Sequence, residues 1–430
     1  MDYGQLINAG YQPRLLEARI AEGLEDFGAV CIQGPKYCGK TWTAQAFAKS
    51  EINLMDPAGN FQNLEIASMA PQIALQGPHP RLIDEWQEAP QLWDGVRNAV
   101  DRSGKSDTFL LTGSAVPREY QPKHSGVGRI EKLRMRPLSL AESGESNARV
   151  SLRALFAGAQ PSSAAPPMTL DDFACLVVRG GWPASRETPP ARAQRMASNY
   201  VSALQNDDLS RVDGKKRDPR KIARLLHSLA RNAEQSAKTK TIIADMTEMD
   251  AQNVLAPETV DDYLDALEKI FIIEEIPAWS PHIRSSLRIN KRPKYHFVDP
   301  SLTAAILKAR ACSLVNDLET FGFLFECLCM RDLLVYAQTA GAEVFYYRDK
   351  EGLEADAIIQ TEAGQWAAIE IKLGHNQAEK AAANLIKVKE NIVRAGGQPP
   401  AFLAVVEGLG KYAYVRADGV YVIPICTLSA

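Results

Sequence analysis

The first third of the chain alternates between short apolar runs and segments with helical spacing. Apolar runs at residues 29–32, 82–83 and 109–111 predict buried strands. Helices are predicted before the first of these strands and directly after it. Strands that alternate with helices are typical of a parallel sheet covered by helices. Residues 1–160 are therefore expected to form an α/β domain.

A phosphate-binding loop is predicted between the first strand and the helix that follows it. Residues 34–41 read Gly-Pro-Lys-Tyr-Cys-Gly-Lys-Thr and fit the pattern G-x-x-x-x-G-K-[ST]. In this pattern the glycines let backbone N–H groups surround the phosphates, the lysine reaches the β- and γ-phosphates, and the final hydroxyl binds Mg²⁺. The residues predicted to bind ATP are Gly34, Pro35, Lys36, Tyr37, Cys38, Gly39, Lys40 and Thr41, with Thr41 also a Mg²⁺ ligand.

Polar residues at the ends of the next two strands complete the predicted ATPase site. Asp84 is expected to hold the Mg²⁺ shell, and Glu85 to orient or deprotonate the attacking water. Thr112 and Ser114 end the strand at 109–111, whose carboxyl end is expected beside the loop. Ser114 or Thr112 is therefore predicted to contact the γ-phosphate or the water. A serine that merely caps the strand is the alternative.

Arg129 is the candidate arginine finger of the ATPase site. It follows a flexible Gly-x-Gly at residues 126–128, and a cationic side chain can stabilise the charge that develops on the transferred phosphoryl group. Such an arginine often acts on the nucleotide of a neighbouring subunit, which predicts a homo-oligomer, a ring with six subunits as one size. A surface arginine in a loop is the alternative.

Four motifs in this order resemble a known family. They are Gly-Pro-Lys-Tyr-Cys-Gly-Lys-Thr at 34–41, Leu-Ile-Asp-Glu-Trp-Gln-Glu-Ala-Pro at 82–90, Leu-Leu-Thr-Gly-Ser-Ala at 110–115 and Arg-Pro-Leu-Ser-Leu at 136–140. Together they resemble a bacterial and archaeal AAA-type P-loop ATPase family whose members carry a C-terminal domain of unknown function. The resemblance covers essentially the whole chain. Tyr37-Cys38 departs from the polar or small residues that are more usual there.

Residues 161–300 are predicted to form a helical linker and a winged-helix domain. Residues 161–167, rich in proline and serine, are interpreted as a linker or exposed loop. A short helix, a turn and a second helix from Pro257 indicate a helix-turn-helix. Apolar strands at 271–276 and 294–298 enclose a basic loop in the position of a wing. The basic residues of this segment are Arg284, Arg288, Lys291, Arg292 and Lys294.

DNA binding without sequence specificity is predicted for this middle region. The basic wing can meet phosphates. The expected recognition helix, however, is acidic and poorly suited to the major groove. Its acidic residues are Glu258, Asp261, Asp262, Asp265 and Glu268. A winged helix that serves only for packing or subunit contact is the alternative.

Residues 301–430 are predicted to form an α/β domain with a metal-binding constellation. Glu370 and Lys372 alternate along one apolar strand, so both face the same side, and Asp356 lies on the preceding strand. Glu326 interrupts an apolar helix, where an unpaired carboxylate would be costly. This arrangement resembles the PD-(D/E)xK nuclease superfamily and its restriction-endonuclease-like fold.

The resemblance implies Mg²⁺ or Mn²⁺ bound by Glu326, Asp356 and Glu370, because three carboxylates suit hard cations. Lys372 is then expected to position or activate water and to steady charge on the phosphate. A scaffold that has lost cleavage activity is the alternative.

Composition and charge indicate which class of protein carries these sites. The chain has 430 residues, 46% of them apolar, and a net charge of −3, which is typical of a globular protein with local basic patches. No apolar run is long enough to span a membrane, and the amino terminus lacks the pattern of a signal peptide. The cytoplasm is the expected location. Seven scattered cysteines without a C-x-x-C pair indicate neither a zinc site nor a disulfide framework.

The sequence therefore predicts three domains, at residues 1–160, 161–300 and 301–430. The favoured function is an ATP-hydrolysing AAA-type protein that couples ATP turnover to DNA processing, with a nuclease-like C-terminal domain. The alternative is an ATP-dependent switch whose winged helix and inactive tail bind a partner or DNA without cleavage. A motor that remodels proteins ranks last, because no peptide-gripping pore loop is evident.

Overall fold

The computed structural model describes residues 6–104, 106–116, 126–211, 214–235, 239–249, 256–281 and 293–430. The chain divides into two units by the contacts within each of them. Unit 1 comprises Met1–Arg136, Asp207–Lys216 and Lys269–Ile272. Unit 2 comprises Pro137–Asn206, Arg217–Glu268 and Ile273–Ala430. The three domains predicted from the sequence are not tested by this division into two units, and they stay a prediction.

Unit 1 is built on a parallel five-stranded sheet with the strand order β2-β3-β4-β1-β5. All three apolar runs of the sequence are strands of this sheet and bury their side chains. Trp86 and Trp93 pack on each other in the core on one side of the sheet. The strands are β1 Ala29–Gln33, β2 Ser50–Asn53, β3 Arg81–Asp84, β4 Phe109–Gly113 and β5 Ile130–Arg134.

Helices connect the strands of unit 1 in the expected alternation. The first helix starts at Glu17, whose Oε1 accepts a hydrogen bond from the N–H of Arg14 (2.8 Å). The helices are α1 Glu17–Asp26, α2 Lys40–Gln45, α3 Gln62–Met69, α4 Pro71–Ala74 and α5 Leu92–Ser103, with a short 3₁₀ turn at Trp86–Glu88.

Unit 2 contains a mixed seven-stranded sheet with the order β10-β11-β12-β13-β15-β14-β7. The pairs β12–β13 and β13–β15 are parallel and the other pairs antiparallel. Two small sheets pair β8 with β9 and β6 with β16. The strands are β6 Val150–Ser151, β7 Ser163–Ala164, β8 Ile273–Ile276, β9 Lys294–Phe297, β10 Ala342–Arg348, β11 Glu354–Thr361, β12 Trp366–Lys372, β13 Phe402–Glu407, β14 Tyr412–Val415, β15 Tyr421–Pro424 and β16 Leu428–Ser429.

The remaining helices lie in unit 2, apart from a short stretch near residue 209 that belongs to unit 1. A π-helix, Leu204–Asp208, continues α9. The helices are α6 Leu140–Ser143, α7 Leu152–Phe156, α8 Leu170–Arg179, α9 Pro190–Ala203, α10 Leu209–Arg211, α11 Pro219–Arg231, α12 Thr239–Met249, α13 Pro257–Lys269, α14 Pro300–Ile306, α15 Ala311–Asn316, α16 Leu318–Thr339 and α17 Ala378–Arg394.

The interpretation of residues 161–167 as a linker or exposed loop is wrong for its centre. Ser163 and Ala164 pair with β14 and extend the seven-stranded sheet by an edge strand. Val150 and Ser151 likewise pair with β16, near the carboxyl terminus. Proline and serine are frequent in loops, but proline is also tolerated beside an edge strand, where its missing N–H is not needed. Composition alone could not show this long-range pairing.

A buried network of charged side chains positions the turn Gly181-Trp182-Pro183, which follows α8. Arg331 donates to Asp299 (3.0 Å) and to Asp332 (2.8 Å), and all three side chains are at most 2% exposed. The N–H of Gly181 donates to Asp299 Oδ2 (2.8 Å). Trp182 Nε1 donates to Ser301 Oγ. The turn at residues 180–182 is therefore positioned by charges that are themselves paired, as buried charges must be.

The predicted helix-turn-helix region is described only in part. Helices α12 and α13 and the antiparallel pair β8–β9 are present, as the sequence predicted. Residues 250–255 and 282–292 lie outside the described residues, and with them the wing residues Arg284, Arg288, Lys291 and Arg292. On α13, Asp262 accepts a hydrogen bond from Arg217 (2.8 Å). The winged helix stays a prediction.

Among the residues that the structure describes, no helix combines the length and the apolar character that crossing a bilayer requires.

Gly181→Ala is expected to destabilise unit 2 by about 1–3 kcal/mol. A Cβ at this position would lie 2.2 Å from the carbonyl oxygen of Leu138 and 2.8 Å from Arg331 Nη1. Gly322→Ala is the matched control, because nothing lies within 4 Å of its Cβ position and it is on helix α16. The control is expected to gain about 0.5–1 kcal/mol. Denaturant unfolding of both variants measures the difference, and equal midpoints would contradict the crowding.

Candidate nucleotide-binding and metal sites

The predicted phosphate-binding loop connects β1 to α2 at the carboxyl edge of the unit 1 sheet. Lys40 is buried, and its Nζ donates to the carbonyl oxygen of Pro35 in the same loop (2.8 Å). At Gly34 an added Cβ would lie 2.1 Å from the carbonyl oxygen of Met135, so only glycine fits there. Tyr37 has a left-handed backbone (φ 66°) and a largely exposed side chain. The loop thus has the compact form that the motif predicts.

Two residues fix the back of this loop. Cys38 is fully buried, and its Sγ donates to the carbonyl oxygen of Met135 (3.6 Å). Arg14 donates to the carbonyl oxygens of Cys38 (2.9 Å) and Arg136 (2.8 Å). The Cys38 thiol therefore packs behind the loop and does not point outward.

Lys36 makes a contact that the sequence did not indicate. Its Nζ lies 2.6 Å from Asp208 Oδ1, which belongs to the short segment of unit 1 at residues 207–216. The pair is part-exposed, so solvent screens it and its contribution to stability is small. The contact fixes the direction of the Lys36 side chain, because it holds the ammonium group against a carboxylate more than a hundred residues along the chain.

Asp84 is the centre of the predicted Mg²⁺ site. Thr41 Oγ1 donates to its Oδ1 (2.8 Å), and Thr112 Oγ1 donates to the same atom (2.5 Å). Burial raises the pKa of Asp84, while the two hydroxyl donors offset part of the rise. The structure therefore brings together Thr41 and Asp84, the two residues that the sequence assigned to Mg²⁺.

Glu85 and Ser114 are also brought together beside Asp84. Ser114 Oγ donates to Glu85 Oε2 (2.9 Å), and the Gln87 side-chain amide donates to the same oxygen. Glu85 has a left-handed backbone (φ 59°), and its N–H donates to Thr112 Oγ1 (3.2 Å). In this arrangement Ser114 positions the acid. Its predicted contact with the γ-phosphate or water stays a prediction.

Arg129 lies at the opposite edge of the same sheet. It precedes β5, and its carbonyl oxygen accepts from Ala29, the first residue of β1. A five-residue strand spans about 15 Å, so Arg129 is that far from the loop that follows β1. Its side chain is half-exposed and donates to Asp101. The structure does not place Arg129 beside the nucleotide site of its own chain.

The predicted constellation of the C-terminal region is assembled on β11 and β12. Lys372 Nζ lies 3.1 Å from Asp356 Oδ2 and 2.7 Å from Glu370 Oε2. The backbone N–H of Ile371 also donates to Asp356 Oδ2 (2.7 Å). On α17, Asn384 donates to Glu370 Oε1 (2.7 Å). Burial and the charge of Asp356 raise the pKa of Glu370 to about 7, although Lys372 and Asn384 oppose the rise.

Glu326 joins this group, and with it Lys294, which the sequence assigned to the wing. Lys294 is 4% exposed, and its Nζ lies 3.9 Å from Glu326 Oε1. The prediction that Lys294 belongs to an exposed phosphate-binding patch is therefore wrong. Burial by itself lowers the pKa of Lys294, but the carboxylates of Glu326 and Asp356 outweigh it and the pKa is raised. Burial and Asp356 raise the pKa of Glu326 well above its usual range.

We call these residues the carboxylate–lysine cluster: Lys294, Glu326, Asp356, Glu370 and Lys372. Burial and the negative charge of Asp356 raise the pKa values of both Glu326 and Glu370, and repulsion between like charges is what a divalent cation relieves. Carboxylate oxygens are the ligands that Mg²⁺ and Mn²⁺ prefer. In this structure the two lysines are the cations that balance the acids.

Several residues of these sites were missed from the sequence. Gln87 lies in the quoted motif at 82–90 but was given no role. Asp208 and Asn384 gave no motif signal, although Asn384 is a polar residue among the alanines and leucines that α17 buries. That interruption of an apolar face is a usable signal. Lys294 was misassigned because it adjoins a basic run, and its partners come from distant elements.

Family models match three segments of the chain. Residues 26–144 match the AAA domain. Residues 170–313 match a domain of unknown function, DUF8612, and residues 321–428 match another, DUF4143. The matches to the AAA domain and to DUF4143 confirm the order of domains implied by the resemblance of the sequence motifs.

Relatives and solved structures cover most of the chain at low identity. The uncharacterized protein Rv2008c of Mycobacterium tuberculosis is 25% identical over 361 residues, which are 83% of this chain and 72% of that protein. The Walker-type ATPase PABY2304 of Pyrococcus abyssi is 14% identical, with a TM-score of 0.45, over 71% of this chain and 98% of that one. The ORC2 protein of Aeropyrum pernix is 13% identical, with a TM-score of 0.32, over 72% and 98%.

The family matches and the geometry of unit 1 agree. The β1–loop–α2 segment, Asp84 on β3 and Glu85 all lie within residues 26–144. The chain therefore carries an AAA-type P-loop ATPase domain at residues 26–144, followed by the domain of unknown function DUF4143 at residues 321–428.

Proposed function

We propose that this protein hydrolyses ATP and couples the turnover to the processing of DNA, with a metal-dependent nuclease site in its C-terminal region. The observation that carries the proposal is the contact of Thr41 Oγ1 with Asp84 Oδ1 (2.8 Å) beside Glu85. It joins the P-loop to the acidic strand end, as a nucleotide-binding ATPase requires.

In the ATPase half, each residue has a separate task. Lys40 is buried in the loop and is available to exchange the carbonyl oxygen of Pro35 for β- and γ-phosphate oxygens. Thr41 and Asp84 would hold Mg²⁺, which neutralises charge on the phosphates. Glu85, held by Ser114 and Gln87, orients or deprotonates the attacking water.

A homo-oligomer is proposed from the position of Arg129. This half-exposed side chain lies at the sheet edge away from its own P-loop, which supports a role on the nucleotide of another subunit. A ring, with a hexamer as one size, provides that arrangement. Arg129 then stabilises the charge of the transition state in the neighbouring site.

In the C-terminal half, the carboxylate–lysine cluster supports nucleic-acid cleavage. Glu326, Asp356 and Glu370 would hold Mg²⁺ or Mn²⁺, which supplies a Lewis acid for the phosphate and an activated water. Lys372, within 3.1 Å of Asp356 and 2.7 Å of Glu370, positions the water and steadies the charge on the phosphate. Lys294 adds a second buried positive charge to the cluster.

A regulatory switch is the second candidate function, and one observation favours it. Asp262 on α13 is paired with Arg217, so part of the acidic face of this helix is used for packing inside unit 2. In this case ATP binding changes how the middle and C-terminal regions bind DNA or a protein partner, and no strand is cut. Turnover would then be slow and unaffected by nucleic acid.

Lys40→Ala and Glu85→Gln are each expected to reduce ATP turnover by about 100-fold or more, through lost phosphate contacts and lost activation of water respectively. Glu85→Gln is expected to keep ATP binding, because the loop is intact. Phosphate release and equilibrium binding of a labelled nucleotide measure the two effects. Lys49→Ala, outside the loop, is the control that should leave both unchanged.

The same turnover assay separates the two candidate functions when single- or double-stranded DNA is added. A large rise with DNA supports coupling to DNA processing, and an unchanged slow rate supports the switch. Glu370→Ala should keep DNA-stimulated ATP turnover if the ATPase site and the carboxylate–lysine cluster act one after the other.

Lys372→Ala is expected to reduce Mg²⁺- or Mn²⁺-dependent cleavage by about 100-fold or more, since the ammonium group of Lys372 contacts both Asp356 and Glu370. Lys350→Ala, on the exposed β10–β11 turn, is the matched control and should cleave normally. Gel assays on single- and double-stranded DNA and on RNA measure the activity. If the wild-type protein cleaves none of these substrates, the nuclease part of the proposed function is wrong and the ATPase part is unaffected.

The Glu370 carboxyl is expected to titrate near pH 7 in the metal-free protein. Asp356→Asn should lower its pKa, and Lys372→Met should raise it, because these neighbours act in opposite directions. Since the folded pKa is above the ordinary value of 4.5, this group reduces stability as the pH rises from about 4.5 to 7. NMR of ¹³C-labelled glutamate, assigned with Glu370→Gln, measures the shifts. An unchanged pKa in both variants would contradict the coupling.

A further inference from the structure

Three fully buried side chains outside the sites described above share one point in unit 2. Glu234 lies in the turn after α11, His296 on β9 and Cys327 on α16. One donor atom from each lies within 4.8 Å of the other two. His296 Nδ1 is 2.5 Å from Glu234 Oε1 and 3.9 Å from Cys327 Sγ. A carboxylate, an imidazole and a thiol thus converge in a region closed to solvent.

The hydrogen bonding of this group is incomplete. Among the described residues, Glu234 Oε2 has no hydrogen-bond partner, and neither has His296 Nε2. Glu234 is 2% exposed and His296 is fully buried. Buried polar atoms are nearly always satisfied, and a buried carboxylate with a free oxygen is costly. A positive ion at the point of convergence would satisfy Glu234 and would also remove the need for a proton between Nδ1 and Oε1.

We propose that Glu234, His296 and Cys327 bind a thiophilic divalent cation of the zinc class. Sulfur, nitrogen and oxygen donors together suit Zn²⁺, whereas Mg²⁺ and Ca²⁺ prefer oxygen alone. Ligand bonds of about 2.0–2.3 Å in a tetrahedral site place the donors about 3.3–3.7 Å apart. The Sγ–Nδ1 distance of 3.9 Å is close to this, and the Nδ1–Oε1 pair opens as the ion replaces the hydrogen bond.

Binding of the ion displaces two protons from the site. The ion displaces the thiol proton of Cys327 and the proton held between His296 Nδ1 and Glu234 Oε1. The fourth position remains for a water or hydroxide, because three protein ligands leave a tetrahedral ion one open site. Nothing is oxidised or reduced.

The bound ion would cross-link separate elements within unit 2. Glu234 and His296 belong to the segment that matches DUF8612, and Cys327 to the segment that matches DUF4143. Lys294 is two residues before His296 on the same face of β9, and Glu326 is adjacent to Cys327. Holding β9 against α16 therefore also sets the distance between Lys294 and Glu326 in the carboxylate–lysine cluster.

The test begins with metal content and Co²⁺ substitution of the full chain. Wild-type protein purified without chelator is expected to carry about one zinc per chain, measured by mass spectrometry of the metals. After exchange, Co²⁺ should give thiolate charge-transfer absorption and the intense visible bands of a four-coordinate ion. Mg²⁺ or Mn²⁺ bound by carboxylates gives no thiolate band, so this readout reports on ligation by cysteine and not on the carboxylate–lysine cluster.

Two variants locate the ion. Cys327→Ser should lose the charge-transfer band and most of the zinc, while Cys329→Ser should keep both. Cys329 is the matched control, because it is equally buried and two residues along the same helix. His296→Gln provides a second ligand variant in case Cys327→Ser does not fold. Asp356→Asn, in the neighbouring cluster, should leave the Co²⁺ spectrum unchanged.

Three results would overturn the proposal. The first is wild-type protein that is folded, binds no zinc and shows no thiolate band with Co²⁺. The second is a Cys327→Ser variant with the zinc content of the wild type. The third is a band lost in Cys329→Ser but kept in Cys327→Ser.

Discussion

Asp84 holds the carboxyl edge of the unit 1 sheet together, and the ATPase site depends on that contact. Hydroxyls from Thr41, at the start of α2, and from Thr112, on β4, donate to the same carboxylate oxygen. Parallel pairing brings these strand ends to one edge. A slip of one residue in β3 would turn Asp84 to the other face of the sheet. The sheet register therefore determines whether the P-loop has an acidic partner, and with it the place of Glu85.

Unit 2 depends on balancing buried charge. Arg331 is enclosed by Asp299 and Asp332, and this network also positions the turn at Gly181. A second group, the carboxylate–lysine cluster, combines three acids with two lysines. Because an isolated buried charge costs several kcal/mol, each such residue requires its partner. The same requirement draws attention to Glu234, whose free carboxylate oxygen has no described partner.

Local motifs were read correctly where all the necessary residues lie close together in sequence. The P-loop and its flanking strand and helix form one continuous stretch, so the positions of Lys40 and Thr41 could be predicted, while their roles stay predictions. Asp356, Glu370 and Lys372 could be grouped because strand alternation is local. Lys294 could not, since its burial depends on Glu326, thirty-two residues along the chain. The linker interpretation of residues 161–167 failed for the same reason, because its pairing partner is β14.

By itself, the sequence determined that an AAA-type P-loop domain precedes a C-terminal α/β region with an acidic and lysine-bearing strand pair. Those features follow from residue type and short-range periodicity. Only the tertiary structure decided which distant side chains meet: Ser114 with Glu85, Lys36 with Asp208, and Lys294 with Glu326. It also placed Arg129 at the far edge of its own sheet. Such contacts depend on strand order and packing between distant segments, which a single sequence does not encode in any local pattern.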